Sequence, residues 1–186
     1  MKIAITGTIG SGKSEVSLYL QDKGYYVFDC DKANAYLLQE GNLGYILVKE
    51  AFSDCFDDNV LNKEKLAKRV FNNKEDKKTL ENIMHPLILE MMNSYEDVDP
   101  FFAEVPLLFE ANWQDYFDRS LLIIADNEDI VKRLIEKGYD EASISERINN
   151  QMPIKDKMKL ASQIIYNNGS LDDLHNLIDD WLKSIC

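Results

Sequence analysis

The chain has 186 residues, of which 45% are hydrophobic and 29% charged, and its net charge at pH 7 is −12. That length suits one α/β domain with helical insertions. The acidity argues against a broad nucleic-acid surface, because such surfaces place Lys and Arg against phosphates. The chain has three cysteines, Cys30, Cys55 and Cys186, and no C-x-x-C spacing. An odd number of cysteines without such spacing is typical of a protein from a reducing compartment. No apolar run reaches membrane-spanning length, and a strand is predicted from the first residues. We therefore expect a cytoplasmic protein with no nucleic-acid, membrane or obligatory protein partner.

The first predicted elements are a strand over residues 3–5 and a helix over residues 13–23. Between them stands Gly-Thr-Ile-Gly-Ser-Gly-Lys-Ser (7–14), which has the G-x-x-x-x-G-K-[ST] spacing of a phosphate-binding loop. Its glycines allow a turn whose N–H groups face an anion, and the helix N-terminus adds positive charge. Lys13 is expected at the β- and γ-phosphates, and Ser14 at Mg²⁺. The sequence therefore predicts nucleoside triphosphate binding by residues Thr8, Ile9, Gly10, Ser11, Gly12, Lys13, Ser14 and Glu15.

Asp29-Cys30-Asp31 separates a second predicted strand, over residues 25–28, from a helix over residues 33–39. In an extended chain, residues two apart point to the same side, so both carboxylates are candidates to face the phosphate loop. A carboxylate there can accept the proton of an attacking hydroxyl, as the catalytic Asp of kinases does. The alternative is that one of them caps the helix that follows, which Asp does well.

From residue 41 to about residue 98 the pattern is almost wholly helical. Asn62 is a candidate cap for the helix that carries Leu66, and Pro86 is expected to kink or restart a helix that begins near Leu80. A lone histidine such as His85 is more often a packed residue than a catalyst. We predict that this stretch is a helical insertion.

The rest of the chain alternates strands and helices. Strands are predicted over residues 101–105, 121–125 and 163–166, and helices over 127–137, 140–161 with a break near Pro153, and 171–182. This alternation predicts an α/β fold of three layers, with a mostly parallel five-stranded sheet flanked by helices. Ligands of such sheets gather at the carboxyl ends of the strands. Glu104 falls at such an end, as a carboxylate that reaches Mg²⁺ through water or as a solvated strand-end charge.

The segment 127–160 is expected to form a lid over the phosphates. Its basic residues, mixed with acids, predict mainly a solvated helix face; they are Lys132, Arg133, Lys137, Arg147, Lys155, Lys157 and Lys159. Arg147 is singled out, four residues before Gln151, because a guanidinium over the β/γ-phosphates stabilises transition-state charge.

Seven stretches of the chain together resemble the dephospho-coenzyme A kinases, a family of P-loop NTPase fold. They are G-T-I-G-S-G-K-S (7–14), V-F-D-C-D-K (27–32), L-N-K-E-K-L-A-K-R-V-F (61–71), H-P-L-I (85–88), V-P-L-L-F-E (105–110), R-I-x-x-Q (147–151) and I-I-Y-N-N-G (164–169). The resemblance implies transfer of the γ-phosphoryl of ATP, with Mg²⁺, to the 3′-hydroxyl of the ribose of dephospho-CoA, giving coenzyme A and ADP.

The same resemblance implies roles for individual residues. Asp31 matches the general base, Arg147 the lid arginine over the phosphates, and Asn167 the loop near the adenine. Acceptor-site positions are matched by His85, Pro106, Leu107, Leu108 and Glu110, and Lys63 is a further acceptor-binding candidate. The implied single domain has a core of residues 1–40, 99–126 and 161–186, a helical acceptor-binding subdomain over 41–98, and a lid over 127–160.

Three residues depart from the family pattern. Lys63 stands where arginine is usual and loses bidentate phosphate recognition, Lys137 falls near a second usual lid arginine, and Ser162 replaces a frequent Asp. Two other functions remain open from the residues alone: another small-molecule or nucleotide kinase of P-loop type, and a regulatory NTPase switch that hydrolyses without an acceptor.

Overall fold

The computed structural model describes residues 1–95 and 97–185; Cys186 lies outside the described residues. Strands β1 to β7 span Lys2–Gly7, Val27–Asp29, Phe56–Asp57, Val60–Leu61, Phe101–Glu104, Arg119–Ile124 and Gln163–Tyr166. Helices α1 to α9 span Lys13–Asp22, Cys30–Leu37, Leu43–Ala51, Lys63–Asn72, Lys74–Asn93, Asn127–Glu136, Glu141–Asn149, Ile154–Leu160 and Leu171–Ile185.

Five of the strands form a parallel sheet in the order β2-β5-β1-β6-β7, flanked by helices. The predicted sheet is thereby confirmed. β1 lies at its centre, paired with β5 and β6, and Ile5 is opposite both Glu104 and Leu121. This register places the carboxyl ends of β1 and β5 side by side, and ligands collect at that edge of a parallel sheet.

One face of the sheet is covered by α1 and α9. Ile3 and Ile5 point to this face, because alternate strand residues share a side, and they pack with Val16 and Leu20 of α1. Four residues of α9 belong to the same cluster: Leu174, Ile178, Trp181 and Leu182. This packing holds the first turn of α1 directly behind the end of β1.

The chain forms two compact units. One combines residues 1–28 with the described residues from 98 onward, and the other comprises the described residues between 29 and 97. The predicted helical insertion falls in the second unit except for Val98. The second unit also takes residues 29–40, because α2 packs against α3 and α5.

Helix α5 is the longest element of the second unit. It begins at Lys74, capped by the Asn73 side chain, whereas the sequence predicted a start near Leu80 because apolar periodicity begins only there. It passes through Pro86 without restarting, since α2, α3 and α4 pack along it and hold the turn that lacks one N–H donor. The predicted cap by Asn62 is confirmed: its side chain accepts from Lys65 N.

The hairpin of β3 and β4 was not predicted. Its turn residues Asp58 and Asn59 have φ values of 46° and 70°, and these two residue types adopt left-handed conformations more readily than most. Each strand of this hairpin has only two residues, which is too short for an alternation of apolar and polar residues to predict a strand. In the other unit, the predicted break within residues 140–161 is confirmed, because α7 ends at Asn149 and α8 begins after Pro153. No helix in the described part of the chain is long and apolar enough to cross a membrane.

Candidate functional site

The phosphate loop, residues 7–14, connects β1 to α1. Gly12 is the N-cap of α1, with φ 102° and no side-chain cap, so the first N–H groups of the helix are not bonded by a capping side chain. A Cβ at this position would collide with the side-chain amide of Asn167. Glycine is therefore required both for the backbone conformation and for the close approach of the loop after β7. The result is a concave set of donors at the positive end of a helix.

Lys13 lies inside this loop. It is only 9% exposed, and its Nζ donates to the carbonyls of Gly7 (3.1 Å) and Thr8 (2.9 Å). The hydroxyls of Thr8 and Ser11 are also buried and have no hydrogen-bond partner among the described residues. Because buried polar groups are normally satisfied, these hydroxyls are candidate partners for a polar ligand at the loop.

Glu104 binds the loop from the neighbouring strand. It is 9% exposed; its Oε1 accepts from Ser14 Oγ (3.1 Å) and its Oε2 from Ser17 Oγ (2.7 Å). The sequence left two interpretations of Glu104, a carboxylate that reaches Mg²⁺ through water and a solvated charge at the end of a strand. Its burial excludes the second. Two hydroxyls and a carboxylate of this kind are hard oxygen donors, the type that Mg²⁺ prefers.

A cleft of about 550 Å³ opens beside the loop. Its walls come from α1, the end of α6, the turn after β7 and the start of α9, and include Gly12, Lys13, Leu18, Arg133, Lys137, Asn167 and Leu171. Leu18 and Leu171 are 55% and 52% exposed, so they offer apolar surface to the cleft. Asn167 is buried and donates from Nδ2 to Ser11 O (2.9 Å), which fixes the turn after β7 to the loop. The cleft therefore combines a polar end for phosphates with apolar walls that suit a base.

Arg133 is a cleft residue that the sequence analysis did not single out. Its Nη2 donates to Asn167 O (2.9 Å), while its Nη1 is buried without a partner among the described residues. The charged residues around Arg133 predicted a solvated helix face. The spacing between Arg133 and the apolar residues of α6 could nevertheless have indicated its position. Ile130 is buried, and Arg133 follows it by three residues, a spacing that places both on the same side of α6.

Arg147 does not line this cleft. It is exposed on α7, and its guanidinium lies 5.1 Å from the ring centroid of Tyr139. Its predicted place over the phosphates stays a prediction.

The loop after β5 contains the predicted apolar lip. Leu108 is fully buried, as the alternative of plain core packing expects, whereas Leu107 is 47% exposed. Pro106 O accepts from Thr6 Oγ1 (3.5 Å). Glu110 Oε1 accepts from Met152 N (2.9 Å) and lies 2.8 Å from Lys157 Nζ. Lys157 is fully buried, so the prediction of a solvated charge is wrong for this residue.

The remaining predicted residues belong to the second unit. Asp29 caps α2, because its Oδ1 accepts from Lys32 N (2.9 Å); this is the alternative reading of the acidic pair. Asp31 is exposed in the first turn of the same helix. Lys63 is exposed at the start of α4. His85 is half-buried on α5; burial lowers its pKa, with an opposing effect from the Glu81 carboxylate.

Comparison with known proteins identifies the family of this chain. A family model described as dephospho-CoA kinase matches residues 1–173. A dephospho-CoA kinase of Helicobacter pylori (strain J99) is 35% identical over 191 residues, which cover 98% of this chain and 96% of the relative. Among solved structures, TT1252 from Thermus thermophilus is 32% identical with a TM-score of 0.90, and a dephospho-CoA kinase from Campylobacter jejuni is 28% identical with a TM-score of 0.70. Each covers 100% of this chain, which in turn covers 98% of each.

Proposed function

Since this chain belongs to the dephospho-CoA kinase family, we propose that the cleft at its phosphate loop is the ATP site of that reaction. The predicted family and P-loop kinase fold are confirmed. The protein is a transferase that uses ATP to phosphorylate dephospho-CoA in coenzyme A biosynthesis. The observation that carries the site assignment is the buried carboxylate of Glu104, bonded to the phosphate-loop hydroxyl of Ser14.

The triphosphate of ATP lies in the phosphate loop, with its adenine between Leu18 and Leu171. Phosphate oxygens replace the Gly7 and Thr8 carbonyls as partners of Lys13, because an anionic oxygen attracts the ammonium group more strongly than a neutral carbonyl does. They also meet the unpartnered hydroxyls of Thr8 and Ser11. The buried, unpartnered Nη1 of Arg133 supports a further phosphate contact from α6.

Ser14 and Glu104 would hold Mg²⁺, the first directly and the second through water. When bound, Mg²⁺ neutralises charge that develops on the transferring phosphoryl group. Ser14 Oγ donates its proton in a hydrogen bond to Glu104. The lone pairs of the Ser14 oxygen therefore remain available to a cation. Ser17 fixes the other carboxylate oxygen and thereby the orientation of the pair.

On the acceptor side, Asp31 takes the proton of the ribose 3′-hydroxyl. We propose that Lys63 and His85 bind the acceptor, and we propose the same role for the exposed Leu107 and its neighbours Pro106, Leu108 and Glu110. Arg147, in the segment expected to form the lid, contacts the β/γ-phosphates in this proposal. A cytoplasmic location stays a prediction, as does the absence of an obligatory protein partner.

The proposed function is tested by following ADP release with dephospho-CoA, with a panel of other alcohols, and without acceptor. We expect Mg²⁺-dependent release that requires dephospho-CoA and yields coenzyme A in equal amount. Faster release with another alcohol would indicate a different kinase, and release that needs no acceptor would indicate an NTPase switch.

Replacement of Glu104 by Gln should raise the Mg²⁺ concentration needed for half-maximal rate by about 10- to 100-fold, the usual effect of losing an outer-shell carboxylate. The amide can still accept from Ser14, so folding should be preserved. Titration of the rate with Mg²⁺ at saturating substrates measures the effect. Glu128→Gln, an exposed position in the first turn of α6, is the matched control. An unchanged Mg²⁺ requirement in Glu104→Gln would remove Glu104 from the metal site.

Replacement of Arg133 by Ala should raise the KM for ATP by about 10- to 100-fold, because a hydrogen bond to a charged group is worth about 1.5–3 kcal/mol. The neighbouring Lys132→Ala is the control, since Lys132 is exposed and does not line the cleft. Initial rates at varied ATP measure both variants. Equal KM values in wild type and Arg133→Ala would contradict the proposed phosphate contact.

A further inference from the structure

The segment that joins α7 to α8 is attached to the phosphate loop. Gln151, two residues after the end of α7, accepts from Ile9 N through its side-chain Oε1 at 3.1 Å. Ile9 N–H belongs to the loop whose N–H groups form the anion cradle. The direction of this one peptide is therefore set by a side chain from the lid segment.

The same segment is attached on its other side to the loop after β5. Met152 N donates to Glu110 Oε1 (2.9 Å), and Lys157 Nζ lies 2.8 Å from the same oxygen. Lys157 is 0% exposed, and a buried charge of this kind requires its counter-charge. Because Glu110 fixes both the residue after Gln151 and the helix that follows, the Gln151 side chain has a restricted position.

The tip of the phosphate loop also packs into the lid. Ile9 contacts a small hydrophobic cluster formed by Ala125, Ile130, Leu134 and Ile144. At Gly10, an added Cβ would stand 3.1 Å from side-chain atoms of Ile130 and Leu134, which shows how closely α6 approaches the loop. Packing thus holds the Ile9 side chain while Gln151 holds its peptide N–H.

We propose that Gln151 is a positioning residue for phosphoryl transfer, and that the buried Glu110–Lys157 pair acts through it. Gln151 fixes the Ile9 peptide and so sets the shape of the cradle that aligns the donor phosphates. Glu110 and Lys157 hold Gln151 in place and touch no reacting atom in this role. The proposal rests on the proposed function of the loop as the ATP site.

The expected consequence is a loss in rate rather than a loss of the fold. A misplacement of reacting groups by 1 Å can cost about 100-fold in rate. Gln151→Met keeps the side-chain length and removes the acceptor. It should lower kcat for dephospho-CoA phosphorylation by about 10- to 100-fold with little change in Tm, because Gln151 is only partly buried and the cluster around Ile9 is intact.

The experiment uses the full chain and combines two readouts. Steady-state kinetics and Tm are measured for wild type, Gln151→Met, the double variant Glu110→Gln/Lys157→Met, and the triple variant. The double variant removes both charges together, so neither is left buried alone, and its amide can still accept from Met152 N. Hydrogen exchange of the Ile9 amide, followed by NMR without nucleotide, reports the bond itself. Asn149→Ala, an exposed position at the end of α7, is the control.

We expect faster exchange of the Ile9 amide in Gln151→Met and in the double variant. Because Glu110 is also proposed to bind the acceptor, the variants are compared by kcat at saturating dephospho-CoA. If the ion pair acts through Gln151, the kcat of the triple variant should be no lower than that of Gln151→Met, because coupled residues are not additive. The proposal would be overturned if the kcat losses of Gln151→Met and the double variant multiplied in the triple variant. It would also be overturned if the Ile9 amide exchanged at the wild-type rate in Gln151→Met. A wild-type protein without ATP-dependent turnover would instead contradict the proposed function, and the exchange result would still decide the contact.

Discussion

Asp31→Asn should lower kcat by about 10²- to 10⁴-fold, the usual cost of losing a general base. Asn has the shape of Asp but does not accept the proton of the attacking hydroxyl. Asp31 is exposed in the first turn of α2, so the substitution should leave the fold intact, and ATP affinity should change little because the phosphate loop is untouched. Rapid-mixing measurement of coenzyme A formation, together with the Kd of ATP, separates these two effects.

Asp29→Asn is the matched control for this experiment. Asp29 caps α2, and Asn caps helices as well as Asp does, so this variant should retain nearly full activity. If Asp29→Asn lost more activity than Asp31→Asn, the base would be Asp29 and the assignment would be wrong. Comparable losses in both variants would mean that the two carboxylates share the proton.

Lys13→Met should lower kcat/KM for ATP by about 10²- to 10³-fold, as the loss of one preorganised donor to transition-state charge does. The side chain keeps its length, but the positive charge at the β- and γ-phosphates is lost. Lys13→Arg should not restore activity, because a planar guanidinium does not replace an ammonium group in the space between two loop carbonyls. Initial rates at varied ATP, with ADP release as the signal, measure both variants.

The control for the lysine is Lys155→Met, an exposed position on α8. Its activity should equal that of wild type. The assignment of Lys13 fails if Lys13→Met retains wild-type kcat/KM, or if Lys13→Arg is fully active.

The parts of the molecule that were predictable are those encoded by neighbouring residues. Residues 7–14 carry the phosphate loop in their own spacing, and the apolar run that ends at Glu104 indicates the strand that carries this carboxylate to the loop. The alternation of strands and helices likewise leads directly to a parallel sheet, because crossovers impose it.

The features that were missed depend on partners distant in the sequence. From the sequence alone, Lys157 cannot be distinguished from a surface lysine, because its ion-pair partner Glu110 lies on a distant segment of the chain. Arg133 contacts Asn167 across the cleft, and the bond from Ile9 to Gln151 spans most of the chain. The start of α5 at Lys74 was not predicted, because its cap, Asn73, precedes a polar stretch without apolar periodicity.

The structure of a complex with a non-hydrolysable ATP analogue, Mg²⁺ and dephospho-CoA tests the central claim most directly. We predict that the triphosphate lies in the loop of residues 7–14 with Mg²⁺ between Ser14 and the phosphates, and that a carboxylate oxygen of Asp31 lies within about 3.2 Å of the ribose 3′-oxygen, the reach of a general base. A 3′-oxygen in contact with a different acidic or basic side chain, with Asp31 turned to solvent, would contradict the account.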